Sequence, residues 1–170
     1  MEDADIIVAP ATPSGGALAL LRVSGKGCIS LVDSIFKGRN NLVDQPAHTL
    51  HHGVIKSGNE VVDEVIVSIF RAPNSFTGED SVEISCHGSE VIINRILELL
   101  LQGGARMADH GEFSKRAFLA GKIDLSQAEA IADMIASSSS LSHRMALTQM
   151  RGGYSAEISH LREELLSVMS

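Results

Sequence analysis

Between Asn74 and Gly88 the chain reads NSFTGEDSVEISCHG, and three carboxylates fall within five residues: Glu79, Asp80 and Glu83. Pro73, Asn74, Ser75 and Gly78 are turn formers, with Gly78 suited to a positive φ. The residues that follow alternate. Val82, Ile84 and Cys86 fall on one face of a strand, and Glu83, Ser85 and His87 on the other. The pattern predicts a loop that delivers its carboxylates to the mouth of a strand, with Glu83 inside the strand itself. A lone Glu there marks a solvated sheet face more often than a site, unless something in front of it needs a carboxylate.

Other groups capable of chemistry are weaker. His48, His51, His52, His87 and His110 suggest metal ligation, but His51 and His52 are adjacent on a predicted strand and point to opposite faces. Cys86-His87 fails as a nucleophile–base pair for the same reason. Cys28 and Cys86 lie far apart with no C-x-x-C, so both are expected to be reduced structural thiols. Neither Gly25-Lys26 nor Gly121-Lys122 has the upstream glycine or following hydroxyl of a P-loop, and no guanine-recognition N-K-x-D occurs.

The elements that position these residues read as α+β. Strands are predicted at Ile6–Ala9 and Ala17–Val23, joined by a Pro/Gly-rich loop, then an amphipathic helix over 26–36 presenting Ile29, Val32, Ile35 and Phe36. Thr49–Ile55 and Val61–Phe70 form a hairpin about Ser57-Gly58-Asn59, with Asp63 and Glu64 read as solvated or turn-proximal. Ser89 caps a helix over Val91–Leu101 that is apolar around most of its circumference, so burial on two sides is expected, and Gly103-Gly104 ends it. Asp109 with Glu112, and Ser126 with Glu129, resemble capping boxes, predicting helices over 112–120 and 126–137. The serines at 137–140 are a candidate break. Beyond it Leu141, Met145 and Thr148 share a face, and Ile158, Leu161, Leu165 and Val168 form an apolar stripe that continues to the last residues. The expected organisation is a mixed sheet with packed helices over 1–118 and the opening helices of an all-α domain over 119–170, in a chain belonging to a longer protein.

Composition restricts function. The 170 residues are 44% hydrophobic and 21% charged, as in a globular protein. The net charge of −7, from 14 basic against 21 acidic residues, opposes strong nucleic-acid binding, which needs a basic face. No apolar run approaches a membrane span, and the acidic start MEDADIIVAP lacks a signal-peptide pattern, so a cytoplasmic protein is expected.

Four blocks together resemble one family. They are Ala9-Pro10-Ala11-Thr12-Pro13 running into Leu21-Arg22-Val23-Ser24-Gly25; Ser75-Phe76-Thr77-Gly78-Glu79-Asp80 with Glu83 and His87-Gly88; Gly111–Leu119 (GEFSKRAFL); and Gly121–Ala130 (GKIDLSQAEA). In this order and spacing they are similar to the tRNA-modification GTPases of the MnmE (TrmE) type. The turn and strand at 75–83 are also similar, more faintly, to the glycine-cleavage T-protein. The first loop is one residue shorter than the family pattern, and His110 stands where Pro commonly precedes Gly-Glu-Phe.

The resemblance implies a T-protein-like domain binding a tetrahydrofolate derivative, 5-formyl- or 5,10-methylene-tetrahydrofolate. Arg22, Glu83 and Lys122 stand at the folate-contacting positions, with Phe76 and Arg116 in reserve. A pterin presents its 2-amino group and N3–H as parallel donors that a carboxylate such as Glu83 can accept. Arg22 or Lys122 can pair with folate carboxylates or the pterin carbonyl. Without a ligand, Arg22 and Glu83 can equally form a salt bridge with each other. The resemblance further implies a homodimer, an MnmG-type partner, and a tRNA whose wobble uridine at position 34 is modified. It places GTP, Mg and K in a GTPase domain outside these residues. A free-standing folate aminomethyltransferase and a ligand-free dimerisation scaffold are the rival expectations.

Overall fold

A computed structural model of the protein describes residues 5–136 and 140–152, together with residues 160, 163 and 166. The chain divides into two compact units, Met1–Arg116 and Ala117–Ser170.

The first unit is built on one mixed sheet. Its strands in chain order are β1 (Ile7–Pro10), β2 (Leu18–Ser24), β3 (Phe36–Gly38), β4 (Thr49–Ser57), β5 (Glu60–Phe70), β6 (Ser81–His87) and β7 (Arg106–Met107). In space they run β3-β4-β5-β6-β2-β1-β7, antiparallel throughout except that β7 lies parallel to β1. Two helices, α1 (Cys28–Ile35) and α2 (Glu90–Gln102), pack side by side against the sheet. Alternation dictates which strand residues meet them. Ala19, Leu21 and Val23 of β2, Val65, Val67 and Ile69 of β5, and Val82, Ile84 and Cys86 of β6 are buried, with Ile29, Val32, Ile93, Ile96 and Leu100 from the helices. Residues of opposite parity, among them Leu18, Arg22, Leu50, Glu64, Ile66 and Glu83, occupy the other, open face.

Several local expectations change. Phe36 leaves the helix after Ile35 and starts β3, paired with Ile55, so its ring enters the core from a strand. The helix α2 buries one face rather than two: Ile93, Ile96, Leu97 and Leu100 point inward, whereas Val91 is 78% exposed. Ser89 occupies the N-cap position without a side-chain cap bond. Gly103-Gly104 does end the helix, as a Schellman motif: Ala105 N–H donates to Leu100 O and Gly104 N–H to Leu101 O, both at 3.1 Å, with Gly104 at φ 101°. Asp63, read as solvated or turn-proximal, is not solvated but buried, because it shares the inward parity of Val65, Val67 and Ile69. Its carboxylate accepts both the backbone N–H and Nδ1 of His87 at 2.8 Å.

Next come α3 (Glu112–Leu119), α4 (Leu125–Ala136) and α5 (Ser140–Met150). Asp109 and Glu112 form half of the expected box, Glu112 Oε2 accepting the Asp109 N–H at 2.7 Å. The box opening α4 is not Ser126–Glu129 but the pair two residues earlier. Asp124 N–H donates to Gln127 Oε1 at 2.9 Å and Gln127 N–H to Asp124 Oδ1 at 2.8 Å. Within the second unit α4 and α5 pair antiparallel: Gln127 Nε2 donates to Met150 O, and Gln149 Nε2 to Ser126 O. Among the described side chains Ala130 and Ala146 are buried, while Met145 and Thr148 are exposed. Residues 137–139 and the stripe Ile158, Leu161, Leu165 and Val168 lie outside the described residues.

The first loop is pinned to the end of β6 by backbone alone, Gly15 N–H to Gly88 O and Gly88 N–H to Ala17 O, each at 3.1 Å. A Cβ on Gly88 would stand 2.0 Å from Gly16 O, a main-chain atom that cannot swing aside. Gly88→Ala is therefore expected to destabilise the fold by roughly 1–3 kcal/mol as overpacking, read as a melting temperature several degrees lower. A melting curve superimposable on that of the unaltered protein would show that this crossing carries no constraint.

Candidate functional site

Pairing between β2 and β6 places Arg22 directly opposite Glu83. Both Nε and Nη2 of Arg22 donate to the same oxygen, Glu83 Oε1, at 2.9 and 2.7 Å. The side chains are 28% and 20% exposed, held between core and solvent. Among the described residues, neither Glu83 Oε2 nor Arg22 Nη1 makes a hydrogen bond. The guanidinium carbon lies 5.4 Å from the ring centroid of Phe76 and 5.7 Å from that of Phe113. One unmet carboxylate oxygen, one unmet guanidinium nitrogen and two aromatic rings thus come together on the open face. Such a set suits a flat polar heterocycle, with edge groups for the charged pair and a face for the rings.

The other two carboxylates do not reach this face. Glu79 accepts from Ser24 Oγ at 3.0 Å, and Ser24 lies 2.7 Å from the Thr77 hydroxyl. Ser24 has one hydroxyl hydrogen, which goes to Glu79, so Thr77 donates to Ser24. Asp80 Oδ1 accepts the Ala72 N–H at 2.9 Å, and Asp80 O accepts the Gly25 N–H at 3.0 Å. Both therefore shape the loop, in which Gly78 adopts φ 78°, and Glu83 alone of the three is presented outward.

Arg116, on α3, meets four acceptor groups: Asp5 O at 2.9 Å, Asp5 Oδ1 at 2.7 Å, the Glu79 carboxylate at 3.2 Å and Glu112 Oε1 at 3.2 Å. Its side chain is 12% exposed, and its guanidinium is engaged in holding the structure. Arg106 of β7 grips Glu112 through two nitrogens, at 2.6 and 2.8 Å, and also meets Asp5. These bonds hold the Glu112 carboxyl down at about 2, with Arg106 the largest cause, and Arg106 and Arg116 lower Asp5 as well. Lys122 belongs to the second unit, in the turn between α3 and α4, where it is exposed and its N–H donates to Ala117 O at 2.9 Å. The structure thus brings together Arg22, Glu83 and Phe76.

One residue beside Arg22, Phe113, and one buried charge away from it, Asp63, are not singled out by the sequence. Phe113 sits inside the quoted GEFSKR block and carries no signal beyond being apolar on a helix. Asp63 could have been found, since a charged residue at inward parity on an apolar strand is a reason to look for its partner. The histidines behave as their strand positions require: His51 contacts Thr49 Oγ1 on one face, and His52 contacts Glu64 on the other, each at 2.8 Å. Burial pushes the Cys28 thiol up to about 12 and Cys86 to about 11, which disfavours the reactive thiolate in both.

Known proteins share this arrangement of domains. The family described as GTP-binding protein TrmE N-terminus matches residues 6–122, and the one described as MnmE helical domain matches residues 125–170. This chain belongs to the MnmE (TrmE) family. It is 56% identical over 173 residues to the tRNA modification GTPase MnmE of Flavobacterium johnsoniae, covering 100% of this chain and 37% of that protein. It is 54% identical over 169 residues to the proteins of the same name from Bacteroides thetaiotaomicron and Bacteroides fragilis, covering 98% of this chain and 36% of theirs. The chain thus spans little more than a third of the length of these MnmE relatives. Its sheet with packed helices corresponds to the family's N-terminal domain, and α4 and α5 to the start of its helical domain.

Holding Glu112 at about 2, below its ordinary 4.5, has a defined consequence for stability. A depressed carboxylate contributes stability above its unfolded value and loses it as pH falls toward the folded one. Stability from this group should be fully present at pH 6 and decline between about pH 4.5 and 2, by roughly 3 kcal/mol at most. Glu112→Gln should be less stable at pH 6 and should lose less on acidification, as followed by thermal unfolding. An acid response identical to that of the unaltered protein would remove Glu112 from the account.

Proposed function

We propose that the Arg22–Glu83 pair on the open face binds the pterin of a reduced folate. The observation that carries this reading is Glu83 Oε2, which makes no hydrogen bond among the described residues and stands beside Arg22, flanked by Phe76 and Phe113. A pterin has amino and ring N–H donors for the carboxylate, a carbonyl for the guanidinium, and a flat surface for the rings. The family relationship supports the same choice and adds Lys122 for the folate carboxylates or the pterin carbonyl. When bound, a 5-formyl- or 5,10-methylene-tetrahydrofolate supplies a one-carbon unit. The residues described here hold and orient it.

Glu83→Gln turns one acceptor oxygen into a donor facing the pterin's donors. A lost charge-assisted hydrogen bond is worth about 1.5–3 kcal/mol, so the Kd for 5-formyltetrahydrofolate should rise by roughly one to two orders of magnitude. Titration calorimetry on the purified protein measures it, and an unchanged Kd would rule out Glu83 as the pterin acceptor.

The relatives are named tRNA modification GTPases, and we infer that the protein carrying this chain acts likewise in the cytoplasm. With an MnmG-type partner it would modify the wobble uridine of tRNA, with GTP, Mg and K bound in a separate GTPase domain. No P-loop motif occurs in the 170 residues, so the chain by itself is expected neither to bind nor to hydrolyse GTP. Protection from thermal unfolding by Mg-GTP would contradict that assignment. Nor does the acidic balance of 21 against 14 charged residues suit a main grip on tRNA.

A homodimer formed through the first unit completes the proposal. Leu18, Leu50 and Ile66 are exposed on the open face, where apolar surface favours a partner. Ile66→Lys should shift sedimentation toward the monomer while leaving the melting temperature within a few degrees. Dimers that persist unchanged would move the interface elsewhere.

A further inference from the structure

We propose that Phe113 is a positioning residue for Arg22: its ring holds the guanidinium against Glu83 Oε1, so that Arg22 Nη1 and Glu83 Oε2 stay presented to a ligand. The functional part of this inference rests on the folate reading above, and the positioning itself does not. Arg22 lies on an open sheet face, where a four-torsion side chain paired with one carboxylate oxygen has little to fix it. The second constraint comes from two rings, Phe76 at 5.4 Å and Phe113 at 5.7 Å from the guanidinium carbon. These rings are not equally secured. Phe76 belongs to a surface loop and is itself exposed. Phe113 follows Glu112 in the first turn of α3, where Glu112 is gripped by Arg106 at 2.6 and 2.8 Å and bonded to the Asp109 N–H. One turn later Arg116 reaches Glu79, three residues beyond Phe76, and so ties the loop carrying one ring to the helix carrying the other. The ionic network thereby sets the position of both rings around Arg22, and the more firmly anchored ring is Phe113.

The test uses NMR and titration on the same protein samples. A guanidinium held over aromatic rings gives an Arg22 Nε–H signal displaced by ring currents and slow to exchange. It is assigned by its loss in Arg22→Lys. Phe113→Leu keeps apolar bulk but removes the ring face, whereas Phe113→Tyr retains it. We expect Phe113→Leu to move the signal toward the free-arginine position and to weaken 5-formyltetrahydrofolate binding about tenfold, and Phe113→Tyr to restore both. A signal at the free-arginine position in the unaltered protein would overturn the proposal without any variant. So would Phe113→Leu weakening binding while the Arg22 signal stays in place, since the loss would then not act through Arg22. If the signal responds as expected but no sample binds folate, the positioning role stands and the folate reading falls.

Discussion

Register between β2 and β6 is the constraint on which the rest of the site depends. These strands lie near the middle of the sheet, and seven residue pairs from Leu18↔His87 to Ser24↔Ser81 match them. Alternation has a period of two, so a slip by one residue would turn Ala19, Leu21 and Val23 outward and drive Arg22 into the core. The apolar residues thus hold the charged pair in place. Burial of Val82, Ile84 and Cys86 against α1 and α2 leaves Glu83 no direction but the open face, opposite Arg22. The same logic fixes the first loop: β2 can stay in register only if the chain crosses close to Gly88, where no Cβ can be accommodated.

Much of this was legible because it follows from period and turn chemistry. The longer strands, the β4–β5 hairpin, α2 and the outward direction of Glu83 all come from alternation or from glycine placement. The short strands β3 and β7 did not, since two or three residues establish no period and their existence is decided by neighbours. Phe36 shows the same limit, its apolar character serving a helix face and a strand equally well. Around the site, Arg22 opposite Glu83 was accessible through the quoted motifs. The fate of Glu79 and Asp80 was not, because a loop carboxylate bonded to Ser24, Arg116 or a backbone N–H reads the same in sequence as one facing a ligand. Arg116 and Arg22 illustrate the converse: both are arginines within the quoted motifs, and only tertiary contacts separate an engaged guanidinium from a partly unmet one.

That separation divides the charged residues of the first unit by task. The Asp5–Arg106–Glu112–Arg116–Glu79 network joins the N-terminal segment, β7, α3 and the 73–80 loop, and direct bonds to guanidinium groups favour the charged forms of Asp5 and Glu112. Removing one member leaves a partner such as Glu112, which is 10% exposed, short of compensation, and this costs stability. The Arg22–Glu83 pair is more open, and a pair of that kind contributes at most about 1 kcal/mol to folding. Its members can be altered with modest effect on the fold because water can solvate whichever remains. What the pair contributes is orientation: two donors converge on one oxygen and leave the other oxygen and Nη1 unmet among the described residues. In an acidic protein, an anionic ligand meets general repulsion and needs a local cation to offset it. Under the proposed folate reading, an arginine already paired to a carboxylate on one side and able to donate on the other would answer that need, while the carboxylate would take the ligand's donors. The network makes this geometry durable, since the aromatic rings beside Arg22 can hold their distance only while α3 and the loop remain tied together.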